Sequence, residues 1–160
     1  MTAVHPRARA FAEAARDRYG LDVEVHEFPA GTKTAADAAA AIGCDVAQIA
    51  SSLVFVASDG RPVVVVTSGA NRVDEGKLAD ELGVDGVRMA DPDEVRGATG
   101  WAIGGVPPCC HERELEVLVD ETLLAHDEVW AAAGTPEAVF PMAPDRLVEV
   151  AGGTTADVAA

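Results

Sequence analysis

Residues 53–68 constrain the fold more than any other stretch. Leu53-Val54-Phe55-Val56-Ala57 and Pro62-Val63-Val64-Val65-Val66-Thr67-Ser68 are apolar, largely β-branched runs separated by Ser58-Asp59-Gly60-Arg61. Branched side chains suit a pleated surface and Asp-Gly suits a tight reversal, so these residues predict a β-hairpin. The longest β-branched run, Val63 to Thr67, is strand-sized and far short of a membrane span, so no membrane crossing is expected.

Short helices punctuate the rest. Ala8, Phe11, Ala12, Ala15 and Tyr19 recur at helical spacing before Gly20, and Val23, Val25 and Phe28 read as a short strand. Thr34 caps a helix over Ala35 to Ile42 that Gly43 ends, and Asp45 with Gln48 forms a capping box for one further turn. Asp74 opens a helix through Leu82, closed by Gly83. Val87 to Met89 reads as a strand, and Asp91-Pro92-Asp93-Glu94 starts another helix. Leu115–Asp120 and Val129–Ala133 predict strands, Gly134-Thr135-Pro136 a turn, Val139-Phe140 a strand and Pro144 to Val150 a last helix, with a frayed tail over Gly152–Ala160. Hairpin-linked strands interrupted by short helices predict an α+β domain with a mixed sheet rather than a regular doubly wound one. With no repeat or linker, residues 1–160 read as one domain, long enough to bury a core without staples.

The chain carries 27 acidic against 12 Lys and Arg residues, a formal charge of −15. Such a surface repels polyanions at low salt, which suits a protein that avoids or imitates nucleic acid. It also suits a halophilic protein in a salt-rich cytoplasm, where a Debye length of about 3 Å at 1 M removes the repulsion. Acids spread along the whole chain favour the second reading. The first residues, Met1 to Arg9, lack a signal-peptide pattern, and three cysteines with two adjacent make a poor disulfide framework, so a reducing cytoplasm is expected.

Chemistry concentrates in Trp101-Ala102-Ile103-Gly104-Gly105-Val106-Pro107-Pro108. Paired glycines let backbone N–H groups approach a ligand and paired prolines fix the chain behind them, so the loop can present donors to a carbonyl or an oxyanion. An ordinary surface turn has the same composition. No phosphate-loop or dinucleotide motif is present. Cys109-Cys110-His111 lacks metal-ligand spacing, and a thiol nucleophile activated by His111 requires facing side chains that adjacent positions rarely give, so neither a metal nor a cofactor is expected. His5 reads as a helix-start residue and His26 as a surface or pocket-lining one. Ser51 and Ser52, read as preceding the strand at Leu53, can bind a ligand or satisfy local backbone.

Taken in order, Thr34–Ala39, Gln48–Phe55, Arg72-Val73-Asp74 with Lys77-Leu78, Gly104–Pro108 and Gly134-Thr135 resemble the YbaK/EbsC family, from about Lys33 to Val150. The resemblance implies a curved mixed sheet with flanking helices and a pocket for the aminoacyl end of tRNA. It further implies hydrolysis of the ester of a tRNA mischarged with a small amino acid, acting in trans, with aminoacyl-tRNA and an aminoacyl-tRNA synthetase as partners. The family's G-x-x-P loop falls on Gly105–Pro108, which assigns Gly105, Pro108 and Ser51 to catalysis and Ser52, Gly104, Val106, Pro107, Cys109, Gly134 and Thr135 to substrate binding. Family members usually carry a lysine where Ser51 stands, and some an acidic or histidine residue at Val139. The first departure raises the alternative of a non-catalytic binding module of the same fold. An acidic protein that docks a basic partner and a cysteine hydrolase are further alternatives.

Overall fold

The computed structural model describes residues 5–28 and 34–160. Parts of two readings, the amino-terminal residues 1–4 and Lys33, lie outside the described residues. The elements in chain order are α1 (Pro6–Tyr19), β1 (His26–Glu27), α2 (Ala35–Ile42), β2 (Ile49–Ala57), β3 (Pro62–Ser68), α3 (Glu75–Leu82), β4 (Val87–Met89), α4 (Pro92–Thr99), β5 (Glu116–Asp120), β6 (Val129–Ala132), β7 (Ala138–Met142), α5 (Pro144–Ala151) and β8 (Thr154–Ala156). Single turns of 3-10 helix precede β2 at Val46–Gln48 and follow β5 at Glu121–Ala125.

All eight strands join one mixed sheet, ordered β1-β7-β6-β2-β3-β5-β8 with β4 added to β2, as the α+β reading expects. The hairpin forms its spine, with β2 antiparallel to β3 from Ala50↔Ser68 to Val56↔Pro62. Val63 to Val66 are fully buried because both faces of β3 are covered. Val64 and Val66 join Phe11, Trp101, Phe140 and Leu147 in the larger core, while Val63 and Val65 join Phe55, Leu78 and Val158 in a second core on the opposite face.

The capping chemistry read from sequence is in place. The Thr34 hydroxyl accepts from Asp37 N–H at 3.0 Å, and the Asp91 side chain accepts from Glu94 N–H at 2.8 Å while Glu94 Oε1 accepts from Asp91 N–H at 3.0 Å. Arg88 grips both Glu94 oxygens at 2.7 and 2.8 Å, which ties β4 to α4 and holds the Glu94 carboxyl down at about 2, helped by the Asp91 N–H.

Three expectations change. The first strand forms at His26–Glu27, pairing with β7, rather than over Val23 and Val25. β2 starts at Ile49, so Ser51 and Ser52 lie inside the strand and not at its mouth. The tail is not frayed. β8 pairs in parallel with β5, Val158 is fully buried, and Ala160 N–H donates to the Arg72 carbonyl at 2.8 Å, so burial of Val158 and edge pairing override a polar Thr-Thr sequence.

Candidate functional site

The site lies against an interrupted ladder. β3 covers one side of β2, but on the other side β6 runs beside only Ile49 and Ala50, and β4 beside only Phe55 to Ala57. Ser51 to Val54 face no strand there. The Val54 carbonyl reaches across to Ala90 N–H at 2.9 Å. Backbone groups alternate sides along a strand, so the N–H and C=O of Ser52 point the same way, into the gap.

A cavity of about 200 Å³ opens at that gap. Its walls are α2 at Thr34, Ala35 and Ala38, β4 and the residue after it at Met89 and Ala90, the glycine loop at Ile103, Gly104 and Val106, and β6 at Trp130 to Ala132. The volume is below the roughly 300–1,000 Å³ of pockets that enclose drug-sized ligands, so the space takes a small group. Met89 and Ile103, each about half exposed, give the mouth an apolar rim.

The polar side-chain groups among the lining residues are the hydroxyls of Thr34, Ser51 and Ser52 and the indole N–H of Trp130. Thr34 is occupied capping α2, whereas the Ser52 Oγ is buried without a hydrogen-bond partner. A buried unsatisfied hydroxyl costs about 1–3 kcal/mol, and here it sits beside open backbone amide positions on the floor of a cavity. Among the described lining residues there is no carboxylate, imidazole, amine or thiol, so the site supplies hydrogen bonds and exclusion of water rather than a general base. Among the described residues no cluster of three or more His, Cys, Asp or Glu could hold a metal ion.

The glycine loop is held from behind. Gly105 N–H donates to the Ala102 carbonyl at 3.0 Å, so this donor is used inside the loop and not offered to a ligand. Gly105 has a packing role: a Cβ there would lie 2.8 Å from Thr135 Cα and 3.0 Å from the Gly134 carbonyl carbon. Gly134, at φ +97°, is itself wedged, because a Cβ on it would meet the Arg7 carbonyl oxygen and Trp101 Cζ3, each at 2.8 Å. Only a glycine pair lets the two turns touch. Gly104, at φ +86°, then faces the cavity beside Val106.

Of the residues expected at the site, Ser51, Ser52, Gly104 and Val106 come together on the cavity. Gly105, Gly134 and Thr135 support it from behind, and the neighbouring Pro136 reaches the wall. Pro107 and Pro108 lie past it, with the Pro107 carbonyl 2.8 Å from His111 Nε2. Cys109, expected to line the pocket, does not reach it and instead lines a separate cavity with Arg18 and Tyr19. Sequence reading missed Met89, Trp130 and the ladder gap. Their recruitment depends on which strands flank β2, for which the chain carries no local signal.

The family model for the aminoacyl-tRNA editing domain matches residues 29–150. The chain is 32% identical over 132 residues to the uncharacterized protein YwhH of Bacillus subtilis, covering 82% of this chain and 83% of that one. It is 35% identical over 98 residues to a proline–tRNA ligase of Geobacter, covering 61% of this chain but only 17% of the ligase. A crystal structure of a candidate trans-editing enzyme for prolyl tRNA synthetase superposes with a TM-score of 0.92 at 44% identity, covering 99% of both chains. A holed mixed sheet with a small apolar cavity, matched along most of its length in sequence and nearly all of it in structure, places this chain in the YbaK-type aminoacyl-tRNA editing domain family.

Proposed function

We propose that the domain hydrolyses, in trans, the ester of a tRNA mischarged with a small amino acid, and that the tRNA is the proline acceptor. The observation that carries this is the cavity at the ladder gap: it is small, apolar, and floored by the unpartnered Ser52 hydroxyl. The amino acid side chain occupies the apolar part between α2 and β6, where a cavity of about 200 Å³ limits its size. The ester carbonyl lies against Ser52 and the loop at Gly104 and Val106, with the acceptor adenosine outside, across Met89 and Ile103.

Water attacks the carbonyl carbon, and donors on the cavity floor stabilise the oxyanion; one such donor is worth roughly 2.7–4 kcal/mol in model enzymes. The bond to the ribose oxygen then breaks, the ribose oxygen takes the proton, and the products are free amino acid and uncharged tRNA. With no titrating side chain among the described lining residues, the neighbouring ribose hydroxyl relays the proton. A missing methylene is worth only about 1–3 kcal/mol in such a pocket, so exclusion of larger side chains is the main source of selectivity. The acidic surface suits a salt-rich cytoplasm, and a synthetase that delivers the tRNA offsets its repulsion.

The test is deacylation of proline tRNA charged with alanine, serine, cysteine or proline, in high potassium chloride, by the native protein and by Ser51→Lys. Turnover of one small ester by the native protein supports the proposal. No turnover by the native protein with turnover by Ser51→Lys would replace it with a binding module that lost hydrolysis.

A further inference from the structure

The second cavity, about 490 Å³, is lined by Cys109 and Cys110 together. Their sulfurs lie 3.9 Å apart, at hydrogen-bond distance for thiols. Cys110 has φ +64°, and it is the one non-glycine with positive φ among the described residues. A side chain in that region is strained, by about 1–2 kcal/mol, and such strain collects at sites with a role. We propose that Cys109 and Cys110 are a redox-modification site, a vicinal dithiol that peroxides convert reversibly into a disulfide between neighbouring residues.

The pair is chemically asymmetric. The hydrogen bond between the two sulfurs lowers the Cys110 thiol below its ordinary range, burial works against this, and the Arg18 guanidinium assists. The hydrogen bond to Cys110, burial, and the Cys110 charge push Cys109 up. Cys110 is therefore the attacking sulfur. Its thiolate displaces hydroxide from hydrogen peroxide, giving a sulfenic acid and reducing the peroxide. The Cys109 thiol then attacks that sulfur, an S–S bond forms, and water leaves with the thiol proton and the sulfenic oxygen. The sulfurs must approach from 3.9 Å to about 2.05 Å, which side-chain rotation and local backbone adjustment supply. Neighbouring Cα atoms are only about 3.8 Å apart, shorter than the usual disulfide range of about 4.4–6.8 Å, so the ring is strained and easily reduced.

The modification reaches the loop through two contacts. The Cys110 carbonyl accepts from Trp101 Nε1 at 3.0 Å, and the His111 ring meets the Pro107 carbonyl at 2.8 Å. Both ends of the segment that carries Gly104 and Val106 therefore hang on residues 110 and 111, and ring closure reorients the peptide between 109 and 110.

The experiment treats the 160-residue chain carrying Cys44→Ser, which retains only this pair of cysteines, with hydrogen peroxide, and follows intact mass, free thiols and tryptophan emission. We expect a loss of two hydrogens, simultaneous disappearance of both thiols, a changed Trp101 emission, and full reversal by dithiothreitol. Cys109→Ser in the same background should stop at a one-oxygen adduct on Cys110 that dimedone traps. Oxygen gain on both sulfurs without hydrogen loss, a covalent dimer, or thiols untouched by peroxide would overturn the proposal. Should Cys109→Ser not fold, phenylarsine oxide gives the independent readout on Cys44→Ser: two As–S bonds form with release of one water, and absence of this one-to-one adduct overturns it. None of these readouts depends on deacylation.

Discussion

Gly105→Ala separates positioning of the loop from its bulk chemistry, since it removes no polar group. The added methyl would sit 2.8 Å from Thr135 Cα and 2.9 Å from its carbonyl carbon, against about 3.4 Å for an ordinary contact. A retreat of about 0.6 Å is therefore required, and the opposing atoms are backbone. The turn at Gly134-Thr135 cannot yield, because Gly134 is pressed between Arg7 and Trp101. The loop moves instead, carrying Gly104 and Val106 away from the cavity. Overpacking of this kind costs about 1–3 kcal/mol, or about 2–4 °C in Tm for each kcal/mol in a domain of this size. A misplacement of about 1 Å costs about a hundredfold in rate, so a fall in kcat of about ten- to a hundredfold, with KM changed much less, is expected for the smaller shift. Single-turnover deacylation of proline tRNA charged with alanine, beside thermal melts, measures both. Gly97→Ala is the control: its Cβ meets nothing within 4 Å in the middle of α4, and it should gain up to about 1 kcal/mol of stability with unchanged rate. A Gly105→Ala protein that melts lower yet deacylates at the native rate would refute the positioning role.

Asp120 is fully buried and accepts from Ser68 N–H at 3.1 Å, Asn71 Nδ2 at 2.9 Å and Thr122 N–H at 3.0 Å, so Asp120→Ala should cost about 3 kcal/mol by denaturant titration. Burial raises the Asp120 carboxyl, but the Asn71, Thr122 and Ser68 hydrogen bonds outweigh it and leave it lowered. Its contribution is thus present above the unfolded value near 4 and is lost as pH falls through the folded one, so melts of Asp120→Asn should show a weaker acid limb. Burial lowers the His111 imidazole and Arg18 adds to this, against the Pro107 carbonyl. Native stability should therefore be complete above about pH 6.5 and decline below it, and His111→Gln should flatten that decline. Tm should rise between 0.1 and 1 M potassium chloride as the Debye length shrinks from about 10 to about 3 Å; a flat or falling Tm would count against salt adaptation.

The hairpin and the helix starts were legible because their signals are local: valine runs around Asp-Gly, and Asp-Pro-Asp-Glu with its reciprocal bonds. The first four residues of β2 were not, because Ile49-Ala50-Ser51-Ser52 has no alternation and is strand only by pairing with β3 and β6. β8 is strand for the same kind of reason, since Thr154-Thr155 gains its ladder from the edge of β5. At the site, motif order brought Ser51, Ser52, Gly104 and Val106 to one cavity. It could not tell that Gly105 N–H turns inward to Ala102 or that Cys109 lines a separate cavity. Side-chain direction after two prolines and partner choice along a strand are both set by tertiary packing.

The most direct test of the cavity assignment is the amide shift map of the protein titrated with an alanyl-amide analogue of the 3′-terminal adenosine, which cannot be hydrolysed. We expect the amides of Ser52, Gly104 and Val106 and the Trp130 indole to move together, and those of Cys110 and Arg113 to stay. Shifts gathered around Cys110 and Arg113 with Ser52 unmoved, or no shifts at saturating analogue, would contradict the assignment of the aminoacyl group to the gap beside Ser52.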